Sequence, residues 1–252
     1  MKKNIGLLLI VSAGVLISSC LKNSNTGISD GPKGYVKILN ASVDAPPVDL
    51  YTETGTKLNS NTQFGAYSNY TAVDAGGFNF RLNATGTTAY LVKGSIVTSE
   101  NAYYTLIMDD STSKIKAGLV SDEYVAPAAG KAKLRFFHLI SNGGAYDLYL
   151  GSNPLFSGRT FNDYKTIGGG FIEVNAGTVN FDLKNSGVLN SEATLSAATL
   201  TAGKFYTLIA VGTSGAVTGQ GSQLILLQDT VQEKKPPEFQ AVFFCFSSII
   251  VV

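Results

Sequence analysis

Phe78, Phe80 and Leu82 alternate with Asn79 and Arg81, so an extended chain carries the apolar side chains on one face and the polar ones on the other. The alternation returns at Val179, Phe181 and Leu183 against Asn180 and Asp182. A period of two predicts strands with one buried and one wet face. Further runs at 35–40, 48–52, 67–73, 89–98, 103–109 and 115–120 are rich in Val, Ile, Thr, Tyr and Phe, and clusters of Gly, Asn, Asp, Pro or Ser separate most of them. Helix signals are nearly absent.

The pattern is also written twice. Asp49-Leu50-Tyr51 returns as Asp147-Leu148-Tyr149, and Phe64 and Tyr67 return as Phe161 and Tyr164. Ala75-Gly76, Asn79-Phe80 and Leu82 return as Ala176-Gly177, Asn180-Phe181 and Leu183, and Tyr104-Thr105-Leu106-Ile107 returns as Tyr206-Thr207-Leu208-Ile209. The order never changes, so the chain holds two copies of one unit. With six to eight strands expected in each, the predicted fold is all-β: two tandem immunoglobulin-like antiparallel β-sandwiches following a signal segment, although the Cys and Trp hallmarks of true immunoglobulin domains are missing. A small barrel fits the same periodicity. The expected units are 34–124 and 132–230, joined by the Pro- and Gly-containing linker 125–131.

Composition narrows the chemistry. In 252 residues there are 19 Lys+Arg against 18 Asp+Glu, one His, two Cys and no Trp. A net charge of +1 offers no basic surface for nucleic acid, and 44% hydrophobic residues is too high for a disordered chain. One His and two Cys are too few for a zinc or iron–sulfur centre, so no cofactor or metal is expected.

The N-terminus reads as a targeting segment. Lys2 and Lys3 precede a run, 5–17, that is almost wholly apolar and too short to span a bilayer. It stops at Ile17-Ser18-Ser19-Cys20, which resembles the lipobox of bacterial lipoproteins; an ordinary signal peptide with an incidental Cys is the alternative. The resemblance implies a signal peptide of residues 1–19 and a mature chain that begins at a lipid-modified Cys20. Residues 20–33 then form a polar, turn-prone tether. The implied partner is the membrane, through the N-terminal lipid, and the implied location is the bacterial cell envelope, at the outer membrane, on its periplasmic or its surface face. Cys245 is left as a lone thiol, a Cys20–Cys245 bridge being the alternative.

The opening run Tyr35-Val36-Lys37-Ile38-Leu39-Asn40-Ala41-Ser42-Val43-Asp44-Ala45-Pro46-Pro47-Val48-Asp49-Leu50-Tyr51, with the Ala75-Gly76 turn and the Tyr-Thr-Leu strand, resembles the bacterial domain of unknown function 4397 family across most of both copies. Asn40 and Val43 stand where the family commonly has His and Pro. The second copy keeps His138 but replaces the following loop with Ser141-Asn142-Gly143-Gly144-Ala145. The resemblance implies a tandem β-sandwich on an exported lipoprotein, with no established activity.

Each polar residue that could carry chemistry has a structural role open to it. His138 lies in phase with Leu134 and Phe136, so it is expected to satisfy loop backbone groups, as Asn40 would in the first copy. Asp49 and Asp147, with Asp44 near the first, are expected to organise turns, because the spacing of a calcium loop is absent. Asp109-Asp110 reads as a hairpin turn, and the glycines of 168–170 and 212–221 as turns outside any phosphate-loop context. The Arg81-to-Asp182 change inverts charge on the wet face and argues against a site shared by both copies. No Ser sits in a nucleophile elbow, so no catalytic residue is assigned and an enzyme is not expected. The expected function is a non-catalytic binding or structural role for a lipid-anchored envelope protein, with a protein or polysaccharide as ligand. The second reading, motivated by the tyrosines, is a glycan-binding surface lipoprotein of a polysaccharide-uptake system. Beyond a charged breaker, within 231–252, lies the apolar tail 241–252; docking as an extra strand, inserting into a partner and being foreign to the domain are all open to it, and neither repeat shows a counterpart.

Overall fold

The structure, a computed structural model, describes residues 31–110, 113–216 and 220–230. The signal segment, Cys20, most of the tether, Cys245 and the apolar tail lie outside the described residues. Nine strands build the first sandwich. One sheet joins β1 (Lys33–Asn40), β4 (Ala66–Tyr67), β5 (Thr71–Asp74), β8 (Tyr103–Asp109) and β9 (Lys116–Ser121) in the order β4-β1-β8-β9, with β5 also on β1. The other joins β2 (Val48–Thr52), β3 (Lys57–Thr62), β6 (Gly76–Ala84) and β7 (Tyr90–Thr98) in the order β3-β2-β6-β7.

The second sandwich repeats the plan. Its sheets are β13-β10-β16-β17 and β12-β11-β14-β15, made from β10 (Lys131–His138), β11 (Tyr146–Leu150), β12 (Asn153–Arg159), β13 (Ile172–Asn175), β14 (Gly177–Asn185), β15 (Ser191–Leu200), β16 (Phe205–Val211) and β17 (Gln223–Asp229). A single turn of helix, α1 (Tyr164–Ile167), stands where the first copy has β4. The expected strand at 67–73 is broken into β4 and β5, and the polar edge strand β3, Lys-Leu-Asn-Ser-Asn-Thr, carried no apolar alternation to announce it.

The two-sandwich fold is thus the predicted one, with one difference in strand direction. β1 runs parallel to β8, pairing Val36 with Tyr104 and Ile38 with Leu106, and β10 runs parallel to β16 in the same way. A parallel pair needs a long crossover. Here it is the whole second sheet, threaded between the opening strand and its partner.

Each sandwich encloses its own core. Val36, Ile38, Leu50, Phe80, Leu82 and Leu106 fill the first, and Leu134, Phe136, Leu148, Phe181, Leu183 and Leu208 the second. The expectation of one wet face fails for the opening strands β1 and β10 and for β8 and β16, which run parallel beside them. All seven residues of β16 are buried, as are the last five of β1, β8 and β10. Their outward faces form a third cluster, in which Leu39, Ala41, Ile107 and Val120 of the first sandwich meet Phe137, Leu139, Tyr164, Ile209 and Val211 of the second. Burial of apolar surface at ~25 cal/mol per Å² makes such a shared core a strong constraint on how the units sit.

Candidate functional site at the seam between the sandwiches

Polar groups cross the middle of this apolar seam. Lys37 projects from β1 between Val36 and Ile38, and Arg135 projects from the equivalent place on β10. Arg135 is wholly buried. Its Nη1 donates to Asp122 Oδ1 at 2.6 Å, its Nη2 to Asp229 Oδ1 at 3.3 Å, and its Nε to Thr207 Oγ1 at 2.7 Å. Lys37 pairs with Asp229 and lies over the Tyr67 ring at 3.8 Å. Each aspartate is tied back to its own sandwich: Thr105 donates to Asp122 at 2.7 Å and Thr207 to Asp229 at 2.7 Å.

The contacts are reciprocal. A cation from each opening strand reaches the aspartate just past, or at the end of, the other sandwich's closing strand. Burial pushes the Asp229 carboxyl up, but the charges of Arg135 and Lys37 outweigh it and hold the group below its ordinary value. For Lys37 burial wins, and its ammonium is held below the ordinary lysine range despite Asp229 and Asp122. Desolvating ions costs several kcal/mol each, so such a network persists only when nearly every donor finds a partner.

Around the ions stands a ring of aromatics. Tyr70 donates to Asp122 at 2.6 Å and lies 2.7 Å from the Tyr124 hydroxyl. Tyr124, the residue just before the linker, meets Phe171 and Phe205 at 5.8 and 5.0 Å between centroids, and Tyr35 stacks on Tyr103 at 4.8 Å. Burial raises the phenols of Tyr70 and Tyr124 far above the ordinary tyrosine range, so both stay neutral donors.

Two clefts open at the edges of the seam. One, of about 590 Å³, lies between β9 and the segment after α1 and is lined by Glu123, Val125, Lys133, Tyr164, Gly169 and Phe171. The other, of about 280 Å³, lies between β17 and the segment from Ala66 to Tyr70, with Lys37, Tyr67 and Thr230 on its walls. Gly169, expected only to turn the chain, and Gly118 within β9 also let the units touch. A Cβ on Gly169 would stand 2.4 Å from Val120 Cγ1, and one on Gly118 would stand 2.3 Å from the Tyr164 hydroxyl. Gly168, at φ 76°, ends α1.

With this geometry in place, the family can be stated. The model of the domain of unknown function DUF4397 matches twice, over residues 34–149 and 135–247. The chain belongs to the DUF4397 family. No curated protein matches it. Among solved structures, the module CBMbc (family CBM26) of Eubacterium rectale Amy13K in complex with maltoheptaose is 12% identical, covering 79% of this chain and 98% of that one, with a TM-score of 0.25. A structure described as alpha-glucan binding by a streptococcal virulence factor is 14% identical over 73% and 95% of the two chains, with a TM-score of 0.23. Likeness at those scores carries no argument about ligand.

Of the residues that sequence singled out in the two DUF4397 units, His138, Asn40, Asp49 and Asp147 serve loops of their own sandwich. His138 is fully buried; its Nδ1 accepts the Ile140 N–H at 3.2 Å and its Nε2 donates to the Gly144 carbonyl at 2.9 Å. Burial holds its pKa down. Asn40 does the same work in the first copy, donating to the Thr62 carbonyl at 3.1 Å and accepting the Ser42 N–H at 3.3 Å. Burial acts to raise the Asp49 carboxyl, but Lys57 at 2.7 Å, the Asn61 N–H, Thr85 and Gly86 outweigh it and hold the group at about 2. Asp147 is lowered by the Gly158 N–H at 2.7 Å and the Ser186 hydroxyl at 2.8 Å. Asp44 is exposed.

Two expectations need correction. Asp110 does sit in a turn, with φ 74°, but Asp109 is the buried end of β8 and accepts from Asn162 and Tyr164 of the second sandwich at 3.0 and 2.8 Å. Its partners come from a unit treated in sequence as a separate bead. Arg81 and Asp182 are half-buried rather than wet, because each lies opposite a tyrosine, Tyr51 and Tyr149, across the strand pair.

Sequence reading missed the seam residues altogether. The signal was available in the matched cations Lys37 and Arg135, set in strands apolar on both faces, and in the threonine repeated within Tyr-Thr-Leu-Ile.

Proposed function

We propose that this protein is a lipid-anchored component of the bacterial cell envelope with a non-catalytic binding or structural role. The observation that carries the reading is how its reactive side chains are used. Both ring nitrogens of His138 are taken by loop backbone, Asp49 and Asp147 gather turn donors, and Asp122 and Asp229 lock the seam. A general base or nucleophile needs a free lone pair facing substrate, and these groups spend theirs on loop backbone, on turn donors and on the seam. A rigid body with a cleft beside Phe171 and Val125 suits presentation and binding.

The support for the anchor is Cys20 at the end of the apolar run, with a largely polar stretch between it and β1, which begins at Lys33. Intact mass of the protein made in a bacterial host tests it. A chain starting at Cys20 with added lipid, absent in Cys20→Ala, is the expected result; an unmodified chain at the predicted cleavage site removes the anchor. Calorimetry with polysaccharides, comparing the protein with Phe171→Ala, tests for a ligand in the larger cleft. A polysaccharide that binds, and binds less tightly to the variant, would turn the reading toward the glycan-binding alternative.

A further inference from the structure

The outer faces of the two sandwiches are built alike and charged differently. Across the sheet β3-β2-β6-β7, register sets Lys57, Tyr51, Arg81 and Lys93 side by side, and residues that stand opposite one another share a face. The equivalent row of the second sandwich is Pro154, Tyr149, Asp182 and Thr194. There the charge is answered on the spot, because Lys184 pairs with Asp182 at 3.4 Å and lies over the Tyr149 ring at 4.8 Å. The first row holds three cations and no acid. Lys57 reaches back to the buried Asp49 at 2.7 Å. Among the described residues no acid pairs with Arg81 or Lys93, and the Arg81 Nε is shut from solvent with no hydrogen-bond partner.

We propose that this row is a binding site for an acidic polysaccharide whose sugar rings carry carboxylates, with Arg81 and Lys93 as its anion contacts and Tyr51 and Tyr90 as its ring contacts. The inference rests on the binding role proposed above, but neither on the lipid anchor nor on the cleft beside Phe171. The argument starts from what the row costs the fold. Like charges directly opposite on neighbouring strands work against the sheet, and Arg81 faces Lys93 in that way. Arg81 is also half-buried, and a cation partly out of water with no acceptor is a cost that an anion laid over the pair removes. A carboxylate matches the two parallel donors of a guanidinium.

The tyrosines favour a sugar chain as the carrier of those carboxylates. Tyr90 is 55% exposed, with the Lys93 ammonium 5.5 Å from its ring centre, and Lys57 stands 5.3 Å from that of Tyr51. An aromatic ring beside a cation offers an apolar face and a polar edge together, which is what a charged pyranose presents in return. Four strands at their usual spacing make the row about 14 Å long, enough to hold a few rings in line. A lipid surface is the poorer fit, since Arg81 is half-buried between the exposed Lys57 and Lys93, where a slender chain reaches it and a flat membrane does not. The overall charge of +1 means that a polyanion is held by this row and not by the field of the whole protein. The second sandwich, with Asp182 in place of Arg81, has no such site.

Calorimetric titration of the full chain carrying Cys20→Ala with polygalacturonate, alginate and hyaluronate tests this. At least one should bind. Methyl-esterified polygalacturonate, which keeps the rings and loses the charge, and polyglutamate, which keeps the charge and lacks the rings, should each bind at least about tenfold more weakly than the best of the three. Arg81→Gln and Lys93→Gln should each weaken binding at least about fivefold. Lys204→Gln, which removes an exposed cation of the second sandwich, and Phe171→Ala should both stay within about twofold. No binding by any of the three polymers overturns the proposal, and so does equal binding of the ester or of polyglutamate. Equal loss in Lys204→Gln and Lys93→Gln overturns it as the mark of diffuse charge. Loss in Phe171→Ala with none in Lys93→Gln moves the ligand to the cleft, which leaves the reading above standing and removes this one. Binding to phosphatidylglycerol vesicles with no polymer bound removes it in favour of a membrane contact. If circular dichroism shows Arg81→Gln unfolded, the exposed Lys93 decides.

Discussion

The two sandwiches follow one plan but send different cations into the seam. The first sends Lys37, a point charge that meets Asp229 and rests on Tyr67. The second sends Arg135, whose planar fork reaches Asp122, Asp229 and Thr207 together and stacks over Phe171 at 4.5 Å. A guanidinium offers five donors in fixed directions, and an ammonium offers three that rotate. The pair is therefore asymmetric in consequence: one side of the reciprocal contact organises both aspartates, and the other neutralises one.

The largest test of that asymmetry is removal of each cation. Arg135→Met strips Asp122 of its paired cation and should cost about 3–5 kcal/mol in urea unfolding. Lys37→Met should cost clearly less, because Asp229 keeps Arg135. The reverse order would break the comparison.

Next come the close approaches. Gly169→Ala drives a methyl into Val120 and the Phe137 ring, and should cost about 1–3 kcal/mol. Gly65→Ala on the first sandwich meets the flexible end of Ile225, but at φ 70°, where a side chain is itself strained. If the seam couples the units, Gly169→Ala should also split the calorimetric transition in two, whereas Gly76→Ala, at φ 101° with nothing within 4 Å of the added methyl, should keep it single.

Acid should separate Asp49 from Asp147. Both carboxyls are held below their unfolded value, so the stability they contribute is complete above about pH 4–5 and fades as pH falls toward Asp49's folded value. Asp49 adds Lys57 to its backbone donors. Asp49→Asn should remove more of the acid-sensitive stability than Asp147→Asn, measured as urea midpoints across pH 2–6.

The smallest effect belongs to His138. Asn40 satisfies the same kind of loop groups, so His138→Asn should cost under about 1 kcal/mol, and His138→Ala, which leaves the Ile140 N–H and the Gly144 carbonyl unpaired, about 1–3.

What sequence could show follows from where the information lies. Phe78, Phe80 and Leu82 announce their sandwich because half of β6 is buried and half is not. Asp49 and Asp147 announce turns because short-range partners lie within their own repeat. β1, β8, β10 and β16 conceal the seam because burial on both faces erases alternation, and a run such as Leu-Ile-Ala-Val looks like any buried strand. Asp109 was legible as the edge of a hairpin, not as the partner of Tyr164, which follows it by 55 residues and belongs to the other unit. Charges that pair across repeats leave no local spacing to read.

The reciprocity of the seam has a consequence for the linker. Lys37 meeting Asp229 while Arg135 meets Asp122 is the arrangement of two subunits about a two-fold axis. Covalent connection makes that pairing intramolecular, with an effective concentration on the order of millimolar for a short flexible link. The seam thus needs only the affinity of a modest dimer to stay closed. A protease cut at exposed Val125 or Ala126 would not release the halves at once; they would travel together through a sizing column and separate only on dilution below their own dissociation constant.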